Sequence, residues 1–209
     1  MLTLHPDTIV VPNVSFEDYL DTYAENAYEW VGGTAYKTNI NIRHYNVNDY
    51  LRSLLQAYFS LRPVGQVLGR PFLMILSDSS ERCFEPDLMV MLDENTALTE
   101  TGIIGPCNIC IEVVYNETIA LDHEYKLMEY ESGGVTEYWI IDPTHNECRF
   151  HRLNAQQKYE AVSEDQNVIY TTPQLPRLQL HVPTLWCEEL PSILEAVESV
   201  RAMLNNKDQ

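Results

Sequence analysis

Lysine is scarce in this chain, with four residues in 209, and lysine and arginine together number 13 against 31 aspartates and glutamates. Non-specific DNA affinity comes mainly from basic side chains that neutralise phosphates, and a net charge of −18 repels DNA at long range. Tight, sequence-independent binding is therefore disfavoured, while a local basic groove or a metal-mediated phosphate contact is not. Long apolar runs are missing as well, and none approaches the roughly 20 residues of a membrane span. The opening MLTLHPDTIVVPN lacks the basic start and long apolar stretch of a secretion signal, so a cytoplasmic location is expected. Five cysteines (Cys83, Cys107, Cys110, Cys148, Cys187) are an odd number, which argues against a complete disulfide framework. Cys107 and Cys110 have C-x-x-C spacing, but no second such pair completes four zinc ligands. Residues three apart on a strand also point to opposite faces, so buried reduced thiols are expected. A GxxxxGK(S/T) phosphate loop, a GxSxG nucleophile elbow and internal repeats are all absent.

What is present fits an ordinary globular chain, with 45% hydrophobic and 21% charged residues and enough length for one domain over 1–209. Ser15 with Asp18 three residues later resembles a capping box and predicts a helix through about Ala24. Tyr28–Val31, Gly32-Gly33 and Thr34–Asn39 read as a β-hairpin. Asn46 is placed to cap a second helix, with Val47, Tyr50, Leu51, Leu54, Leu55 and Tyr58 at helical spacing and Pro63 ending it. Strands are predicted around Gly65–Leu68, Phe72–Leu76, Leu88–Leu92 and Asn108–Val114, with a polar loop over Asp93–Gly105. Thr118–Ser132 reads as an amphipathic helix stopped by Gly133-Gly134, followed by a strand at Tyr138–Ile141. Cys148–Leu153 and Tyr159–Val162 form a further hairpin. Pro173, Pro176 and Pro183 break up an irregular tail, and Pro191 sits at the first turn of a final helix to about Leu204. The strand–helix–strand unit from Asn108 to Ile141 implies a partly parallel sheet in a mixed α/β fold.

The chemistry concentrates between Glu85 and Pro143. Asp87 opens the run LMVML and Glu112 closes the run CNICIE. Charged groups are seldom buried unless paired or bound to a metal. Alternation puts Asp87 on one face with Met89 and Met91, and Glu112 on one face with Cys110 and Asn108. If the two strands are neighbours, the carboxylates lie close and repel unless a proton or cation is shared. Mg²⁺ suits them, because it takes hard oxygen ligands and keeps waters for an incoming phosphate. The competing reading makes them exposed acids at strand ends. Asp122, Lys126 and Tyr130 share a helix face at i, i+4, i+8 spacing. Such a pair is usually solvated, yet Lys126 is the sole lysine between Asp87 and Asp142. Placed beside two carboxylates, it positions water or balances phosphate charge. Glu29 and His44 flank the first hairpin as further candidates for the metal shell or for substrate contact. A lone histidine more commonly serves a structural hydrogen bond.

At these residues the chain resembles a known family. The succession Glu-Pro-Asp87, Ile-Glu112-Val-Val, Asp122…Lys126…Tyr130 and GGVTEYWIIDP is similar to that of the Uma-two-type restriction endonucleases, a branch of the PD-(D/E)XK nuclease superfamily. The likeness extends upstream to YEWVGG and His44, covering roughly Tyr28 to Leu153. It implies a restriction-endonuclease-like mixed sheet flanked by helices, with a nuclease core over about 28–153 and a C-terminal extension over about 170–209. It also implies Asp87 and Glu112 as metal-binding acids. The superfamily's lysine usually stands two residues after the glutamate, where this chain has Val114, so Lys126 on the next helix is its expected replacement. Glu29, His44, Asp122, Tyr130 and Glu137 are second-tier candidates. The family often has Ser-Pro after Glu-Val, and Tyr115-Asn116 stands there instead.

The expected function is a Mg²⁺- or Mn²⁺-dependent endonuclease that hydrolyses DNA through Asp87, Glu112 and Lys126. A homodimer is expected, since a twofold pair of sites suits two antiparallel strands. The acidic charge keeps two alternatives open: a binding or assembly module with weak or no catalysis, and a hydrolase of small phosphate compounds.

Overall fold

The computed structural model describes residues 9–23, 26, 28–31, 33–37, 41–76, 83–92, 97–114 and 119–206, with residues 29, 31 and 119–124 as backbone only. In chain order the first elements are β1 (Ile9–Pro12), α1 (Phe16–Asp18) running into a π-type turn at Tyr19–Tyr23, β2 (Glu29–Val31), β3 (Thr34–Lys37) and α2 (Ile42–Leu61). Then come β4 (Gly65–Gly69), β5 (Leu73–Ile75), β6 (Cys83–Phe84), β7 (Leu88–Leu92), β8 (Ala97–Leu98), β9 (Gly102–Ile104), β10 (Ile109–Val113) and α3 (Ile119–Gly133). The chain ends with β11 (Glu137–Asp142), β12 (Glu147–Leu153), β13 (Tyr159–Val162), β14 (Ile169–Thr171), β15 (Gln179–His181), a 3₁₀ turn at Val182–Trp186 and α4 (Ile193–Asn205). Expected features at Ala24, Gly32, Asn39, residues 93–96, Tyr115-Asn116 and Thr118 lie outside the described residues.

Six strands form the main sheet in the order β13-β12-β11-β10-β7-β4, with β10 and β11 parallel and every other pair antiparallel. The parallel pair flanks α3, as the strand–helix–strand pattern requires. Both faces of the central strands are buried, which explains their near-continuous apolar runs. Leu88 and Val90 on β7, with Ile109, Ile111 and Val113 on β10, pack beneath α2 through Val47, Leu51, Leu54, Leu55 and Tyr58. The same core takes in Tyr170, Leu178, Leu180, Leu185 and Val200 from the C-terminal segment. On the other face, Met89, Met91 and Cys110 meet Tyr130 of α3 and Met74, Phe84 and Ile103 of a four-stranded sheet, β6-β5-β9-β8. Val14, Tyr19, Trp30 and Ala35 form a separate cluster around the first hairpin.

Four details depart from the sequence expectations. Helix α2 is capped five residues before Asn46, at Asn41, whose side chain accepts the His44 N–H at 2.7 Å. Ile42 and Tyr45 in that first turn are exposed, so no apolar period announces it. The loop expected over Asp93–Gly105 contains β8 and β9, and Gly102 lets β9 press onto β5, since a Cβ there would strike the Leu73 backbone. Pro191 precedes the last helix rather than entering it; Ser192 and Glu195 form the capping box. Cys107 lies ahead of β10, so strand alternation does not separate it from Cys110, and both thiols sit in one core. All five cysteines are free, and burial pushes the Cys83 thiol up to about 12, assisted by the charge of Glu85.

Glu137 ties the sheet to the C-terminal segment. It is fully buried and accepts from Trp139 Nε1 (3.0 Å), the Tyr170 hydroxyl (2.8 Å), Arg152 Nε (2.8 Å) and the Thr172 hydroxyl (2.6 Å). A buried carboxylate is tolerated when it is paired and its lone pairs are filled, and this one meets both conditions. Glu137→Ala leaves a guanidinium and three other donors without their acceptor. Urea unfolding is expected to show a loss of about 3–5 kcal/mol, and a loss below about 1 kcal/mol contradicts the locking role.

Candidate active site

Asp87 stands just ahead of β7, at the end of the sheet where β4, β7 and β10 meet. Its side chain is buried, and Oδ2 accepts the Val113 amide N–H at 2.8 Å. His44 Nε2, carried in the first turn of α2, lies 3.1 Å from the same oxygen. The His44 backbone is fixed by the Asn41 cap, so the helix start aims the imidazole at the acid. Arg70, the residue after β4, places Nε 3.0 Å from Oδ1. That separation is an ion-pair distance, but the N–H is not aimed at the oxygen, and Oδ1 accepts no hydrogen bond among the described residues. Burial alone would push the Asp87 carboxyl up. The charge of Arg70, the hydrogen bond and charge of His44, and the Val113 amide outweigh it and hold the group at about 2.

Glu112 sits on β10 with its carboxylate buried. Oε1 accepts from Lys126 Nζ at 3.1 Å and from the Tyr130 hydroxyl at 2.9 Å. Lys126 and Tyr130 are four apart on α3, so one helix face delivers both donors. Lys126 is itself 5% exposed, with its ammonium group held at the Glu112 carboxylate away from bulk water.

Strand register brings the two groups together. The ladder between β7 and β10 ends at Leu88↔Ile111, one residue short of Asp87 and of Glu112, and the Asp87 side chain bonds the amide of the residue after Glu112, Val113. The ladder between β4 and β7 ends at Gly69↔Leu88, and its next step sets Arg70 beside Asp87. On the far side Glu112 pairs with Ile140, and Ile140 with Arg149. Lateral neighbours share a face. Glu112, Ile140 and Arg149 therefore share one face, and Arg70 and Asp87, just outside the ends of β4 and β7, meet each other at the end of the sheet. Gly69 permits this approach, because a Cβ there would collide with the Asp87 carbonyl oxygen and Arg52 Nη2.

The other expected site residues divide. His44 and Tyr130 join the group through the contacts above. Glu137 does not: it heads β11, opposite Ile109 and three positions from Glu112's partner, and packs on the α2 face among its own four donors. The side chains of Glu29 and Asp122 lie outside the described residues. Arg70 was absent from the sequence expectations, since an arginine before a proline in a turn carries no periodic signal; only the strand register reveals it. Asp142, which closes β11, carries no such signal either. It accepts the Thr144 and His145 amides at 2.9 and 3.0 Å, and His145 Nδ1 is 2.8 Å from its Oδ2. With Val114, Ile140, Glu147 and Arg149 it lines a shallow cleft next to Glu112's row.

Among the described residues no three His, Cys, Asp or Glu side chains form a ready-made metal cage. Mg²⁺ commonly uses only one or two carboxylates and fills its remaining positions with water and phosphate oxygens. The buried Oδ1 of Asp87, which accepts no hydrogen bond among the described residues, is a hard donor suited to such an ion. Asp87 and Glu112 therefore fit a divalent hard cation.

The depressed Asp87 carboxyl fixes a sign for stability. A folded value near 2 against an ordinary 3.8 means stability present above about pH 4 and lost as pH falls toward 2. Over that interval the parent protein is expected to lose about 2 kcal/mol more than Asp87→Asn, read by urea denaturation at a series of pH values. Equal acid sensitivity in the two proteins would rule out an ionised, paired Asp87.

A solved structure titled as a putative nuclease belonging to DUF820, from Anabaena variabilis, shares this architecture with a TM-score of 0.67 at 15% identity, over 83% of this chain and 97% of that one. Likeness at that identity shows the fold, a nuclease-type mixed α/β arrangement. No curated protein matches the chain. The model of the Uma2 family, described as "Putative restriction endonuclease", matches residues 16–183, a span that contains His44, Arg70, Asp87, Glu112, Lys126 and Tyr130. The chain belongs to the Uma2 family.

Proposed function

We propose that this protein is a divalent-metal-dependent endonuclease that hydrolyses DNA phosphodiester bonds. Asp87 and Glu112 hold the ion, Mg²⁺ or Mn²⁺, and Lys126 serves the reacting phosphate. The observation that carries the reading is two buried carboxylates, Asp87 bonded to the amide of the residue after Glu112, with an ammonium group 3.1 Å from Glu112. Burying two neighbouring acids costs several kcal/mol, roughly, in any fold, and it makes sense where a cation is to be received. Family membership supports nucleic acid as the substrate.

When bound, the metal supplies Lewis-acid polarisation of a phosphate oxygen and a more acidic water. The protein's own groups do the rest. His44 and the Val113 amide fix the Asp87 carboxylate against rotation, which keeps one oxygen turned toward the site. Tyr130 and Lys126 do the same for Glu112. Hydrolysis joins a water oxygen to phosphorus and breaks the bridging P–O bond; one proton leaves the water for solvent, and the departing alkoxide takes one from solvent. Lys126, a fixed cation in a dry setting, stabilises the negative charge that grows on the phosphoryl oxygens. A homodimer, with two such sites, would serve a duplex.

A second reading has its own support. Both carboxylates already have internal cationic neighbours, Arg70 and Lys126, and the chain carries a charge of −18. A binding or assembly module that keeps the fold without turnover is consistent with both facts. Among the described residues no helix is long and apolar enough to cross a membrane.

Supercoiled plasmid with Mn²⁺, alongside calorimetric titration of Mn²⁺, tests the first reading. Asp87→Asn and Glu112→Gln are each expected to lower cleavage by about a hundredfold or more and to abolish the Mn²⁺ heat while unfolding cooperatively. A parent protein that binds Mn²⁺ without cutting plasmid, single-stranded DNA or generic phosphodiesters favours the module. Cleavage by either variant at the parent's rate overturns the assignment.

A further inference from the structure

Resting on the endonuclease reading above, we propose that Arg52 anchors the substrate strand by taking the phosphodiester next to the one that is cut. The chain offers its arginines 31 acidic partners. Arg149 and Arg152 pair with Glu147 and Glu137, Arg70 lies against Asp87, and Arg43 and Arg177 donate to main-chain carbonyls. Arg52, in the middle of α2, has no hydrogen bond and no ion pair among the described residues. The residue is partly buried, yet its nitrogens stay in touch with solvent. A cation drawn partly out of water without a carboxylate costs free energy. In return its fork of donors stays open to an anion arriving from outside.

The backbone puts this guanidinium beside the metal-binding acid. A Cβ on Gly69 would strike both Arg52 Nη2 and the Asp87 carbonyl oxygen, so the guanidinium lies in the notch that the glycine leaves at Asp87. His44, Asn48 and Arg52 recur every four residues and form one stripe along α2. The stripe meets Asp87 twice, at the carboxylate through His44 and near the carbonyl through Arg52. Between them the Asn48 Oδ1 is buried and accepts no hydrogen bond among the described residues. An unfilled acceptor and an unpaired cation on one stripe mark a surface that a ligand completes. A phosphodiester suits the cation, because its two non-bridging oxygens match two parallel N–H groups of a guanidinium. A nucleic-acid strand carries that group at every nucleotide. With one phosphate at Asp87 and Glu112, its neighbour falls to Arg52. A protein of charge −18 thus holds the strand through one placed cation, without a basic surface.

Fluorescence anisotropy of a labelled DNA duplex, with the full chain in Ca²⁺ as an oxygen-binding ion of the same charge, reads the anchor. Arg52→Gln is expected to bind about tenfold more weakly than the parent, with the slope of log affinity against log salt reduced by about one. Its calorimetric Mn²⁺ affinity without DNA should equal the parent's. In Mn²⁺ cleavage assays the loss should fall on KM rather than on kcat. Single methylphosphonate linkages, which remove one phosphate charge at a time, separate a phosphate contact from a structural arginine. In the parent one linkage is expected to cost about tenfold in affinity, and in Arg52→Gln the same linkage costs nothing further. Arg52→Lys, which keeps the charge but not the fork, should show a penalty of about threefold there. If Arg52→Gln does not fold, Arg52→Lys decides: a smaller penalty than the parent's supports the proposal, and an equal one overturns it. Failure of both variants to fold assigns Arg52 to the architecture and also overturns it. Parent-like affinity and linkage profile in Arg52→Gln, with cleavage still lost in Asp87→Asn, overturn the anchor and leave the endonuclease reading standing. A parent that neither binds nor cuts DNA overturns both.

Discussion

Asp87 keeps a full negative charge at 1% exposure, and the end of the sheet is organised around making that possible. Removing a carboxylate from water costs several kcal/mol, roughly, unless opposite charge and hydrogen bonds replace hydration. Three separate elements supply the replacement: the first turn of α2 through His44, the end of β4 through Arg70, and the β10 backbone through Val113. None of these contacts survives a shift of its element by one residue. The Asn41 cap, the missing Cβ of Gly69 and the register between β7 and β10 are all held to their positions by the same buried charge.

Glu112 is built in a different way. Two donors to its Oε1, Lys126 and Tyr130, come from one helix face of α3. Asp87 is gripped from three directions.

Much of this was legible in the residues. Period-two alternation sorted Met89 and Met91 from Leu88 and Val90, and assigned Glu112 to the face of Cys110, because central strands obey a strict geometric repeat. Helical spacing united Lys126 with Tyr130 for the same reason. What stayed hidden lay in segments with no repeat. The start of α2 depends on one side-chain cap beneath exposed Ile42 and Tyr45, and Arg70 gains its meaning only from a neighbour 17 positions away in the chain. Glu137 shows the opposite hazard: an acid inside an apolar strand looks like chemistry, and here four donors make it architecture.

That architecture bears on how the chain can be shortened. Tyr170 and Thr172 supply two of the four donors to Glu137, Arg152 reaches across to the Thr171 carbonyl, and Tyr170 stacks on Phe150 with ring centroids 3.6 Å apart. A protein ending after β13 would expose the underside of α2 and leave a buried acid half satisfied. The segment from Tyr170 onward is thus part of the sheet's floor, joined to it through the buried charge of Glu137.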